Sequence, residues 1–144
     1  MSVKIDKLIF GGQGLGYAEE LCKDRASLCP FLLWNALPGE EVEVENWKKK
    51  AGILEGIAQS PRGESSSYRL EPKETHFLSC SPWQIMAWGY ENEQKIEIAQ
   101  EVYRKIGGLS VEAIHELSLR SDGSQYGYRN KMEFSFTEVD SKIS

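Results

Sequence analysis

Cysteine and histidine are scarce in this chain, with three of the former and two of the latter in 144 residues. Cys22, Cys29 and Cys80 form an odd, widely spaced set. No pair sits two to four residues apart, as zinc sites made by paired thiolates require, so no metal site is expected. The same spacing argues against a disulfide framework and for reduced thiols. His76 and His115 support no Ser/His/Asp or Cys/His arrangement, and nothing beside Cys80 in Ser79-Cys80-Ser81-Pro82 would activate it. Cys80 reads as a small buried residue. Long apolar runs are missing too. No stretch approaches the roughly 18 residues of a membrane helix, and Met1–Phe10 lacks an apolar core of signal-peptide length. The expectation is a cytoplasmic protein with no membrane partner. Basic excess is the last absence. With 17 Lys/Arg against 22 Asp/Glu the net charge is −5, so the chain as a whole lacks the charge of a dedicated nucleic-acid binder. Any RNA contact has to use a local patch.

What is present describes a folded chain. Hydrophobic residues at 40% and charged residues at 27% exclude disorder, and the length allows one ordinary domain or one small domain with part of another. Residues 1–60 have the texture of a small antiparallel barrel. Val3, Ile5 and Lys7, continuing through Leu8–Phe10, make a first strand, and Tyr17 and Ala18 resume after a glycine-rich stretch. Ser27–Asn35 is an apolar run. Glu41–Trp47 alternates with Val42 and Val44 on one face. Lys48-Lys49-Lys50 then reads as a charged hairpin tip before Ile53–Ala58 returns. Pro38-Gly39 suits the centre of a type II turn, because proline fixes φ and glycine accepts positive φ.

Residues 61–75 are rich in Ser, Pro and charge and read as a linker or exposed crossing. Residues 76–144 open on an apolar, aromatic stretch, His76–Trp88, expected to be buried. Tyr90–Ile106 follows helical spacing, with Ile96, Ala99, Val102, Tyr103 and Ile106 on one face and Gly107-Gly108 ending it. Leu109–Leu119 reads as a short helix running into a strand. Asp122-Gly123 makes a turn. A strand over about 130–137 then places Met132, Phe134 and Phe136 on one face. So little sequence follows it that its apolar face looks short of partners. The fold class expected is mainly β with α: an N-terminal OB-like barrel followed by an incomplete α+β segment.

Several motifs admit two readings. Gly11-Gly12-x-Gly14-x-Gly16 lacks the spacing and the following helix of a dinucleotide fingerprint, so a bulged strand that another backbone approaches closely is the better account. Lys48-Lys49-Lys50 is either a solvated tip or a phosphate contact. Trp34 and Trp47 are core residues or stacking platforms. Arg129 and Lys131, flanking Asn130, suit a structural anchor and an RNA-phosphate grip equally well.

Taken in order, these pieces resemble a known family. A barrel with a glycine-rich second strand followed by Ala36-Leu37-Pro38-Gly39-Glu40 is similar to a TRAM domain, an OB-like RNA-binding barrel. Ser60-Pro61-Arg62, Glu71-Pro72, His76-Phe77, Trp83-Gln84 and Tyr128-Arg129-Asn130-Lys131-Met132 resemble the RNA (uracil-5-)-methyltransferases. The resemblance covers nearly the whole chain. It implies a TRAM barrel, a central domain and a C-terminal Rossmann-like domain binding S-adenosylmethionine. In that family a cysteine attacks C6 of the target uracil and activates C5 for methylation. Nothing here matches the nucleophile or cofactor motifs, so no catalytic or cofactor-binding residue is assigned. Many members hold an iron–sulfur cluster through a C-G-G-C core, where this chain has Cys80-Ser81-Pro82-Trp83, so no cluster is expected. The resemblance thus implies a monomeric N-terminal portion that docks tRNA or rRNA and is inactive alone. Its RNA-binding residues would be Lys48, Lys49, Lys50, Arg62, Arg69, Arg129, Asn130 and Lys131. A stand-alone RNA-binding barrel and a protein-interaction barrel are the alternatives.

Overall fold

The computed structural model describes residues 1–18, 29–59, 61–127, 138–139 and 142–143. In the first half, alternation becomes buried strand faces. Strand β1 (Ser2–Leu8) buries Val3, Ile5 and Leu8 and exposes Lys4 and Asp6. Ile5 and Leu8 are three apart and still face one way because the pairing with β2 (Gly14–Ala18) shifts between Ile5 and Lys7, a bulge that re-aims the strand. Strand β3 (Cys29–Trp34) buries Cys29, Phe31 and Leu33 on one side. Strands β4 (Glu41–Glu43), β5 (Trp47–Lys50) and β6 (Ile53–Ile57) complete a six-stranded sheet of order β4-β1-β2-β3-β6-β5, in which β3 and β6 run parallel.

That order forces the sheet to curl. Its two outermost strands, β4 and β5, are consecutive in the chain and separated by residues 44–46. Four Cα steps reach about 14 Å at full extension, whereas five interstrand gaps in a flat sheet span about 24 Å. The edges must therefore swing together into an OB-like barrel. Val3, Ile5, Phe31, Leu33, Val42, Val44 and Leu54 fill its interior, with Ala18, Cys29, Ala36 and Ala58. Strand β1 approaches closely at Gly16, where a Cβ would lie 2.4 Å from the Lys4 carbonyl oxygen and 2.6 Å from Val3 Cγ1. The glycine-rich segment is thus closely approached by another backbone, as its spacing implied, but Gly11-Gly12 form a turn and the bulge falls in the facing strand β1 rather than in β2.

Some boundaries differ from the sequence reading. The apolar run Leu8–Phe10 does not extend the first strand, since β1 ends at Leu8 and Phe10 stands exposed in the following turn. Glu41–Trp47 is not one strand, because the chain must turn from one edge of the sheet to the other within it. The three lysines lie along β5 rather than at a hairpin tip. The tip is Ala51-Gly52, with φ of 50° and 86°, the positive pair that a tight primed turn needs. Cys29 is disulfide-bonded, where reduced thiols were expected.

The second half packs onto one end of the barrel. Pro61 bridges to Val42 and the Arg62 amide donates to Glu41 O, so the chain leaving β6 runs beside β4. Helix α1 (Phe77–Cys80) is a single turn, followed by a 3-10 turn at Pro82–Ile85. Helix α2 (Trp88–Lys105) matches the expected helix within two residues, and α3 (Val111–His115) is capped by Ser110, whose Oγ accepts from the Ala113 amide. A second apolar cluster joins barrel to helices. Leu8 and Leu37 pack with Ile85 and Met86, and Phe77, Trp83, Tyr90 and Ile98 press against them. Within His76–Trp88, expected to be buried throughout, His76 and Ser79–Ser81 are exposed and Gln84–Met86 buried, because only one side of these turns meets the barrel. A short hairpin pairs β7 (Glu138–Val139) with β8 (Lys142–Ile143). The strand expected over about 130–137 lies outside the described residues. Among the described residues no helix is long and apolar enough to cross a membrane.

Candidate functional site

The junction between barrel and helices is built on Glu40. The Leu37–Glu40 turn, closed by the Glu40 amide donating to Leu37 O and with Gly39 at φ 85°, aims this carboxylate inward, where it is 1% exposed. Arg69 reaches it from the following segment with a forked pair, Nε to Oε1 and Nη2 to Oε2, both at 2.6 Å. The Leu37 and Ser66 amides donate to the same carboxylate. The remaining guanidinium donors go to Asn35, Nη1 to Oδ1 at 3.2 Å and Nη2 to the carbonyl at 3.1 Å. Asn35, at φ 60°, in turn donates from Nδ2 to the Ala58 and Gln59 carbonyls. Burial by itself pushes the Glu40 carboxyl up, but the Arg69 and backbone hydrogen bonds outweigh it and hold the carboxyl below its ordinary value. All three guanidinium nitrogens and both carboxylate oxygens have hydrogen-bond partners, and the result is an anchor.

Of the residues expected to contact RNA, Arg69 is therefore spent inside the fold, its side chain 14% exposed. Lys48, Lys49 and Lys50 are different. They form the outer edge strand β5, all exposed, and among the described residues none is in an ion pair. Alternation puts Lys48 and Lys50 on one face and Lys49 on the other with Trp47, which meets Phe31 edge-on at 6.0 Å. Arg62 is exposed and loosely paired with Glu43 at 3.6 Å. It sits beside β4, the other edge brought round by the curl. Arg129, Asn130 and Lys131 lie outside the described residues. Trp34 is half-buried on β3.

A groove of about 1230 Å³ is lined by Phe10, Gly12, Trp83, the α1 turn and the α2 face. Its floor is pinned by Trp83, whose Nε1 donates to Gly12 O at 2.8 Å. Gly12, at φ 93°, has no room for a side chain, since a Cβ there would lie 2.8 Å from that nitrogen. This contact spans 71 residues, and no local pattern announces it. On the groove's rim Glu74, His76 and Cys80 bring their ligand atoms within 4.8 Å of one another. Cys80 is exposed, against the expectation of burial, because it ends a helical turn whose opposite side meets the barrel. An iron–sulfur cluster does not fit this rim. Four thiolates are needed, and the chain has three cysteines, of which Cys29 is in a disulfide.

No protein-family model matches the chain. Curated relatives do. It is 32% identical over 94% of its length to an uncharacterized RNA methyltransferase of Caldanaerobacter subterraneus subsp. tengcongensis, covering 28% of that protein. It is 30% identical over 99% of its length to another of Fusobacterium nucleatum, covering 29%. A 23S rRNA (uracil(1939)-C(5))-methyltransferase, RlmD of Vibrio campbellii, is 25% identical over 98% of the chain, again with 29% of the relative covered. The chain thus spans less than a third of the length of these relatives. Through nearly its whole length it is a homologue of RNA methyltransferases, matching the N-terminal portions of proteins of that name.

Proposed function

We propose that these 144 residues form the RNA-docking part of an S-adenosylmethionine-dependent RNA uracil-C5 methyltransferase acting on rRNA or tRNA in the cytoplasm. Methyl transfer itself would belong to the remainder of such an enzyme. The observation that carries this reading is the match of nearly the whole chain to less than a third of each RNA methyltransferase relative. The RNA-docking half of the proposal draws on β5, where three exposed lysines, without ion pairs among the described residues, lie beside Trp47 on an OB-like barrel. Cations along an edge strand track phosphates, while an adjacent aromatic offers a base a stacking surface. Arg62, and Arg129, Asn130 and Lys131, extend the proposed contact. Arg69 holds the barrel to the helices behind it.

The described residues do not fit the methyl donor. An adenosyl cofactor in a Rossmann-like site needs a strand–helix–strand unit, and the parallel pair here, β3 and β6, is connected through strands β4 and β5 with no helix between. Docking matters to such an enzyme because extruding a uracil from structured RNA costs a few kcal/mol, which contacts away from the target base help offset.

The test is binding of the 144-residue chain to a structured, uridine-containing RNA at two salt concentrations. Binding at low salt that weakens steeply at the higher one is expected; no binding even at low salt would remove the RNA-docking reading. Calorimetry with S-adenosylmethionine checks the division of labour, and measurable binding by these residues would contradict it.

A further inference from the structure

Glu74, His76 and Cys80 are spaced E-x-H-x-x-x-C across the turn that enters α1. His76 occupies the N-cap position of that turn and Cys80 is its last residue, so the two lie four apart, on one side of a helical turn. Glu74 precedes them on a backbone held from behind. The side chain of Gln84, 8% exposed, accepts from the neighbouring Lys73 amide at 3.0 Å. The Glu74 Oε2 atom lies 3.3 Å from His76 Nε2 and 3.6 Å from Cys80 Sγ. A tetrahedral zinc ion has bonds of about 2.0–2.1 Å to nitrogen and oxygen and about 2.3 Å to sulfur, which puts an N···O ligand edge near ~3.4 Å and an S···O edge near ~3.6 Å. Both separations match those edges, and the third pair, His76 and Cys80, has its ligand atoms within 4.8 Å.

We propose that Glu74, His76 and Cys80 hold a single zinc-class divalent ion, with the fourth corner of the tetrahedron open towards the groove. The donor set of one thiolate, one imidazole and one carboxylate is of borderline softness. It suits Zn²⁺, and Co²⁺ as its spectroscopic stand-in, better than the hard cations Mg²⁺ and Ca²⁺. It also departs from the four thiolates of an iron–sulfur centre. Three protein ligands and an open position leave room for a water or an incoming ligand. The inference concerns this chain's own rim residues and stands whether or not the RNA-docking reading does.

The experiment strips the 144-residue protein with a chelator, returns one equivalent of Zn²⁺ or Co²⁺, and measures stoichiometry, affinity by chelator competition and the Co²⁺ absorption spectrum. One ion per chain is expected, with a thiolate-to-cobalt charge-transfer band and the strong visible bands of tetrahedral Co²⁺. Cys80→Ser should abolish the charge-transfer band. His76→Gln and Glu74→Gln should each weaken Zn²⁺ binding by more than the roughly 10–100-fold typical of losing an outer-shell partner. All three positions are solvent-exposed, and unchanged circular dichroism would verify that each variant folds. A wild type that binds Zn²⁺ no more tightly than the triple variant, or a charge-transfer band that survives Cys80→Ser, would overturn the assignment.

Discussion

Two sets of cations in this molecule have opposite fates. Arg69 is half-buried against a fully buried carboxylate, and its hydrogen bonds go to Glu40 and Asn35. Lys48–Lys50 stand in water along β5, and among the described residues they have no ion-pair partner. The difference follows from position. A charge removed from water needs every lone pair and proton answered, whereas a charge on an exposed edge strand costs little and discourages edge-to-edge pairing. Arg69 therefore belongs to stability and the lysines to whatever approaches the surface. Sequence alone had placed all four in one RNA-binding set.

Breaking the buried member should have the largest effect. Arg69→Met leaves the Glu40 carboxylate buried and unpaired, and should cost about 3–5 kcal/mol of unfolding free energy, read as a lower denaturant midpoint. A loss below about 1 kcal/mol would mean that the junction is wetter than its 1% exposure at Glu40 implies.

Acid should expose the same anchor. The folded-state pKa of Glu40 lies below the ordinary 4.5, so the group's contribution is fully present above that pH and is lost as pH falls through the depressed value. Glu40→Gln should be less stable at neutral pH, yet should show a shallower acid limb than wild type in pH-dependent melting. Parallel acid limbs in the two proteins would assign the pH dependence to other carboxylates.

The contact that fastens the groove floor is smaller in scale. Trp83→Phe removes the hydrogen bond to Gly12 O while keeping an aromatic ring, and should cost about 0.5–1.5 kcal/mol in the same denaturant assay. No change would indicate that Gly12 O finds water in its place. Smallest of all for stability is the exposed set. Replacing Lys48, Lys49 and Lys50 by glutamate should shift unfolding by no more than about 0.5 kcal/mol per site.

What the sequence disclosed follows the range of the interactions involved. The alternation of Val3 and Ile5 and the 3–4 spacing of α2 are local periodicities, and β1 and the helix formed where they pointed. Val42 and Val44 are both buried, although the strand they suggested ends at Glu43. The Leu37–Glu40 turn was legible because Pro38 and Gly39 carry their backbone preferences with them. The end of β1 was misplaced because a bulge turns Leu8 inward and strands Phe10 in the turn, and hydrophobicity alone cannot register that shift. The Glu40–Arg69 fork joins residues 29 apart and the Trp83–Gly12 contact residues 71 apart. Only the curled sheet, with the second half packed against it, brings those partners together. Among the candidate site residues, exposure separated the lysines from Arg69, and exposure is a property of the fold.

The most direct test of that separation is the salt dependence of RNA binding, measured side by side for wild type, Lys48→Glu/Lys49→Glu/Lys50→Glu, and Arg69→Met at a temperature where it remains folded. If the edge strand grips phosphates, the slope of log K against log salt falls by about 2–3 in the lysine variant and stays at its wild-type value in Arg69→Met. A lysine variant that keeps the wild-type slope, or an Arg69→Met protein that loses it, would contradict the division between anchor and grip.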